Sequence, residues 1–187
     1  MSLIRNRSNS IYFTGIVAVC TLLITLPAFS QTGYEAFLKL EGPDIKGEVV
    51  DKDHKDWIEI LGFSWGASHD GSHSRGTVGD LRISKPLDRS SPSLFLQCVK
   101  GTHLATGRLH LREPGGEKDV IYEILLEEVY IRSIETIAAE SGGRPVEEVT
   151  LSFGRIEVAY TFRQPDGTSK RTSVWWDRRS NTGGSTD

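Results

Sequence analysis

The residue types that invite a chemical reading are few and scattered along the chain. Asp51, Asp53 and Asp56 begin like the oxygen-donor loop of a calcium site. Position five of that loop, however, is Lys55, position six is not glycine, and position twelve is Gly62 where a bidentate carboxylate is required. The run therefore predicts an acidic, solvated turn. Ser72-His73-Ser74-Arg75-Gly76 has the outline of a nucleophile elbow, but Ser72 stands where the first glycine must permit the sharp turn, and no helical pattern follows. His69 and His73 are four apart and would face one metal ion only on a helix, whereas the intervening Asp70-Gly71-Ser72 predicts a loop. Glu127-Glu128 and Glu147-Glu148 point to opposite faces of an extended chain, so neither doublet forms an acid/base pair. Trp175-Trp176 divides in the same way, one ring entering the core and the other remaining available as an interface anchor.

These residues assemble no nucleophile, base and electrophile, so the sequence predicts a non-catalytic protein with no metal and no cofactor. Composition narrows the class further. The chain has 187 residues, 22 Lys plus Arg against 25 Asp plus Glu, and a formal charge of −3. That balance provides no basic field for nucleic acid. Two cysteines, Cys20 and Cys98, make neither a disulfide framework nor a thiolate metal site.

The elements that would position these groups read mostly as strands. Period-two alternation runs through Trp57–Ser68, Leu81–Ser84, Arg108–Arg112 and Glu148–Arg163, and a last strand covers Lys170–Asp177; Val120–Ile137, where Ile124, Leu125, Val129 and Ile134 would also make a helical stripe, reads as a long strand on its β-branched and aromatic content. Within Glu148–Arg163 the apolar set moves from Val149, Leu151 and Phe153 to Ile156, Val158, Tyr160 and Phe162, which predicts a β-bulge at Gly154-Arg155. Trp57–Ser68 has one large face (Trp57, Leu61, Phe63, Trp65, Ala67) and one small face (Gly62, Ser64, Gly66, Ser68). The small face suits either a tight bend or close approach by a neighbouring subunit. Ser90–Gly101 predicts the one short helix, with Ser90 or Ser91 capping, Pro92 in the first turn, an apolar stripe of Leu94, Phe95, Cys98 and Val99, and Gly101 closing the end. The fold class is thus mainly β: one antiparallel β-barrel or sandwich of about seven or more strands with a short lateral helix, spanning 31–179 and followed by a polar tail over 180–187.

The first thirty residues are of another kind. No charge occurs between Ser8 and Tyr34, Arg5 and Arg7 precede that gap, and an apolar run from Gly15 to Leu26 leads to Pro27 and the small-residue sequence Ala28-Phe29-Ser30. This is the pattern of a secretory signal peptide over 1–30, with cleavage between Ser30 and Gln31; an uncleaved membrane anchor is the alternative. Cleavage removes two Arg and no acid, so the remaining domain is two charges more negative. It then has Cys98 as its sole thiol and no stable membrane insertion.

Along the domain, several stretches resemble one family. Phe37-Leu38-Lys39-Leu40, Ile45-Lys46-Gly47-Glu48, and Asp53-His54 through Ile58 to Gly66 are followed by Leu81-Arg82-Ile83-Ser84-Lys85 and Asp88-Arg89-Ser90-Ser91-Pro92. Gly101-Thr102-His103, Tyr122-Glu123-Ile124, Glu148–Phe153 and Trp176-Asp177 continue the set, which resembles the haemolysin-coregulated proteins, Hcp. The resemblance implies a β-barrel with a lateral helix, closing with copies of itself into hexameric rings that stack as the inner tube of type VI secretion. It further implies partnership with spike, sheath and effector proteins. Family tube subunits polymerise in the cytoplasm and ordinarily lack a leader. The predicted leader therefore opens a second reading, an exported Hcp-like ring or β-barrel binding module acting outside a type VI apparatus, secreted or periplasmic. A ring needs two different patches on each subunit. Gly62, Gly66 and Ser68 on the small face, Asp70, Gly71, His73, Arg75 and Gly79 in the following loop, and Trp175 are the candidate subunit-contact residues. The basic row Arg108, His110 and Arg112 faces a lumen, a neighbour or solvent.

Overall fold

The computed structural model describes residues 33–71, 75–113, 119–138 and 142–186. The leader, its cleavage position at Ser30 and Gln31, and Ser72 and His73 lie outside the described residues. The strands are β1 (Glu35–Glu41), β2 (Ile58–Ile60), β3 (Gly62–Ser64), β4 (Ala67–Ser68), β5 (Thr77–Val78), β6 (Leu81–Pro86), β7 (His103–Arg112), β8 (Val120–Ile137), β9 (Val146–Ser152), β10 (Arg155–Arg163), β11 (Ser169–Asp177) and β12 (Thr182–Ser185). The helix α1 (Ser91–Lys100) falls between β6 and β7. Every strand pairing is antiparallel, so the mainly β class with one short helix holds.

The 18-residue β8 organises the sheet. One edge pairs with β7; the other pairs first with β10 and then with β9. From β7 the ladder continues to β1 and β2, and from β9 to β6 and β3. The Leu61 N–H between β2 and β3 donates to Ser84 O at 2.8 Å, so the chain passes from one branch of the ladder to the other. The inward side chains form one core in which Leu38, Leu40, Ile58, Leu81, Leu104, Ile124 and Leu151 have no accessible surface beyond 0%. Each contributes about 1.5–3 kcal/mol by leaving water. Helix α1 packs on β8.

Several expectations are corrected by this arrangement. Trp57–Ser68 is three short strands, because the chain leaves β1 at Ile60 and joins β6 at Gly62. Its inward face changes there too: Ile58 and Ile60 are buried while Leu61 is 57% exposed. The helix stripe is narrower than the sequence suggests. Leu94 is buried and Cys98 packs against the core, but Phe95 and Val99 face solvent because only one line of the helix meets β8. Ser90 makes no side-chain cap; Ser91 Oγ instead accepts from Asp88 N at 3.1 Å, and Gly101 closes the helix at φ 62°. The phase change near Gly154 is present but needs no extra residue there. Glu127 faces Arg155 and Tyr130 faces Ser152, so equal numbers intervene on both strands, and both change face together. Glu128 takes φ 55° opposite Gly154, where an added Cβ would lie 2.6 Å from Glu128 Oε2. The register shifts on β8 fall elsewhere, between Ile131 and Ser133 against β9 and between Tyr122 and Val120 against Leu111 and Arg112 of β7. Finally, part of the expected polar tail, 182–185, is ordered as a strand. It adds β12 to β11, and Gly183 permits it: a Cβ there would meet Trp175 O and Trp176 Cε3 at 2.5 Å.

Candidate functional site

The sheet face that builds the core does not end where the core ends. Leu126 stands opposite Ile156, which stands opposite Trp176; Ile124 stands opposite Val158, which stands opposite Val174. Cross-strand partners share a face, so one apolar surface runs outward from β8 across β10 and β11. It reaches solvent still apolar: Val174 is 56% exposed, Tyr160 49% and Phe162 38%, with the last two rings stacked at 6.2 Å. Across from it stand Trp65 and the β4–β5 hairpin with Ala67 and Val78, and between them lies an open groove of 430 Å³. Gly183 and Gly184 of β12 form its floor beside the two tryptophans. Trp65 is held by its indole N–H, which donates to Tyr122 Oη at 3.3 Å, and burial pushes the Tyr122 phenol above its ordinary value.

The candidate residues sort by this geometry. Trp175 lines the groove, with the Arg155 guanidinium 5.0 Å above its ring. Gly66, Ser68 and Gly79 shape the hairpin that forms the other wall: Gly79 N donates to Gly66 O at 2.8 Å, and Ser68 Oγ meets Thr77 Oγ1 at 3.0 Å. Arg75 reaches Asn181 O, tying the loop to the turn before β12. Asp70 and Gly71 are exposed at the loop's far end, where Gly71 N donates to His69 Nδ1 at 3.0 Å. Gly62 lies elsewhere, opposite Ser84 in the β3–β6 pair, so the small face does not form one surface. Sequence reasoning missed Val158, Val174 and Trp176 as groove-lining residues, with the buried Ile156 at the groove's inner end. Their alternation reads as core, and only the register shows that the apolar face outruns its cover.

Of the basic row, Arg108 stays open, while the side chains of His110 and Arg112 are only 14% and 2% exposed. The segment between β1 and β2 folds over them. Asp51, expected in a solvated turn, is in that segment; its carboxylate is 3.1 Å from Arg112 Nη1 and 3.3 Å from His54 Nδ1. Among the described residues no three His, Cys, Asp or Glu side chains gather as metal ligands. No helix among them is long and apolar enough to cross a membrane.

Comparison with known proteins agrees with this architecture. The family profile described as "Type VI secretion system effector, Hcp" matches residues 37–160. Protein hcp1 of Pseudomonas aeruginosa is 35% identical over 158 residues, covering 79% of this chain and 96% of that protein. The crystal structure of Hcp1 from Salmonella typhimurium superposes with a TM-score of 0.67 at 26% identity, covering 81% of this chain and 99% of the other. A structure described as a type six secretion system protein superposes at a TM-score of 0.73 with 24% identity, over 81% of this chain and 100% of that one, and so speaks to the fold.

Proposed function

The chain belongs to the Hcp family of type VI secretion proteins, and from that premise we propose that it is a structural, non-catalytic tube subunit. In this reading copies of the chain close into hexameric rings, the rings stack, and the stack is secreted with its effectors. The observation that carries it is the groove between Trp65 and Trp176. A single chain leaves exposed there an apolar surface continuous with its own core. Water contact with such a surface costs roughly 25 cal/mol per Å², which a neighbouring subunit removes. The groove is one patch; a ring needs a different patch on the adjoining copy to enter it, and this asymmetry lets rotation close the assembly.

Light scattering and negative-stain microscopy test this reading. The expected result is a discrete oligomer with ring-shaped particles, reduced to monomer by Val174→Asp with an unchanged circular dichroism spectrum. A strict monomer at several hundred micromolar would sink it. The uncharged stretch from Ser8 to Tyr34 favours a second reading, an exported Hcp-like ring or binding module. Its test is the N-terminus of the native protein: Gln31 as first residue in an extracytoplasmic fraction supports it, and an intact Met1 in the cytoplasm opposes it.

A further inference from the structure

We propose that His54 and His110 form a one-proton lock, which holds the tip of the β1–β2 connection against the outer face of the sheet and releases it on gain or loss of a proton. The connection is a small hairpin of its own. Gly47 N donates to Asp56 O at 2.8 Å, Asp56 N to Val49 O at 2.9 Å, and Val49 N to Trp57 O at 3.1 Å. Its base is fastened by permanent charges: Arg89 pairs with Asp56 at 2.5 Å and Arg144 with Glu48 at 2.9 Å. Its tip, around 50–55, is fastened by His54, which is 3% exposed and stacks on Phe37 at 4.5 Å.

The tip contacts form a line of four side chains. Asp51 Oδ1 lies 3.3 Å from His54 Nδ1, His54 Nε2 lies 2.9 Å from His110 Nδ1, and His110 Nε2 lies 2.9 Å from Glu123 Oε2. Each contact is a hydrogen bond only if one proton lies within it, because carboxylate oxygens and bare imidazole nitrogens are all acceptors. Three contacts need three protons, whereas two neutral imidazoles carry two. The complete line is therefore a pair bearing one positive charge. With a proton removed, two lone pairs face each other in one contact. With a proton added, both imidazoles are cations and two N–H groups meet between them.

The surroundings favour the intermediate state. Asp51 on the hairpin and Glu123 on β8 are the two anionic ends. Arg112 on β7 pairs with Asp51 and with Glu35 of β1, while Arg171 on β11 pairs with Glu123 at 3.2 Å. Arg108 on β7 adds positive charge near Glu123. Burial, with His110 and Arg112 nearby, holds His54 below the ordinary histidine value even though Asp51 pulls the other way. The two rings share that one charge through the proton between His54 Nε2 and His110 Nδ1. Release uncovers Phe37 and Trp57, so the pair regulates an aromatic patch separate from the Trp65–Trp176 groove.

Amide hydrogen exchange on the purified protein from pH 5 to pH 9, corrected for intrinsic rates, tests the lock, with β7–β8 ladder amides as the folding control. Protection at Asp53 and Trp57 should pass through a maximum and fall about tenfold on each side, the worth of one charge-assisted bond. Glu123→Gln separates a lock from mere packing. Its amide N–H can fill the last contact when the pair is neutral, so the alkaline loss should disappear while the acid loss remains. Protection at the tip that is flat with pH in the parent protein overturns the proposal, and so does alkaline loss retained in Glu123→Gln.

Discussion

Removing the ammonium of Lys85 should damage this protein as much as truncating one of the largest apolar side chains of its core. Lys85 is fully buried, with its Nζ 2.7 Å from Glu147 Oε2 and 2.8 Å from Asp88 Oδ1; those side chains are only 3% and 5% exposed. Ser91 at the start of α1 completes the cluster by donating to Glu147 Oε2 at 2.6 Å. The site thus joins β6, β9 and the helix. Lys85→Met leaves two carboxylates buried beside each other with no cation. Breaking one buried pair costs about 3–5 kcal/mol. With two partners orphaned the upper part of that range applies, about 4–5 kcal/mol. At a urea dependence of about 2 kcal/mol per molar, the unfolding midpoint should drop by about 2 M. The partner experiment is Lys85→Met combined with Glu147→Leu, which leaves Asp88 as the one carboxylate without its cation and should recover about half of the loss. Equilibrium urea unfolding by circular dichroism, at one fixed protein concentration, reads both. A Lys85→Met variant within 1 kcal/mol of the parent, or a double variant no better than the single, would refute the reasoning.

Other perturbations have equally definite outcomes. Gly47→Ala places a Cβ 2.1 Å from Trp57 O, a backbone atom that cannot rotate aside. The hairpin must open, and calorimetry should register a loss of about 1–3 kcal/mol. Val174→Asp puts a charge on the exposed part of the groove, so sedimentation should show the oligomer lost while the thermal midpoint of the monomer changes little. Acid should destabilise the fold through His54. Burial lowers its proton affinity, so the unfolded chain binds more protons once pH falls below about 6.5, and stability declines from there downward. Glu123, held below the ordinary carboxylate range chiefly by its bond to His110, adds a further loss as pH drops through its folded value. Urea midpoints at pH 7.5 and pH 5 check the sign, and His54→Gln should flatten the upper part of that dependence.

Much of the secondary structure was legible because burial imposes a local period. Val120–Ile137, whose apolar residues also fit a helical stripe, read as a long strand on its β-branched and aromatic content, and Pro92 with Gly101 bracketed the helix. The same rule misled wherever a strand changes partner or loses its cover. Leu61 belongs to an apolar alternation yet is exposed, since the chain crosses there from β1 to β6. Phe95 and Val99 complete a helical stripe yet face water, since the sheet offers α1 a contact one residue wide. The candidate interface was half legible: Trp175 and the hairpin glycines could be singled out, whereas Val158 and Val174 could not be told from core.

The amino-acid order by itself determined the strand periodicity, the helix limits, the lack of a clustered catalytic motif and the family resemblance, because each depends on neighbours a few residues apart. What only the tertiary structure decided depends on register across the ladder. Lys85 meets Glu147 from 62 positions away, His54 meets His110 from 56, and Trp65 meets Tyr122 from 57. A shift of one residue in any pairing turns each of those side chains to the opposite face. Partnership at such separations is a property of the folded sheet, since local periodicity carries no information about which strand lies opposite.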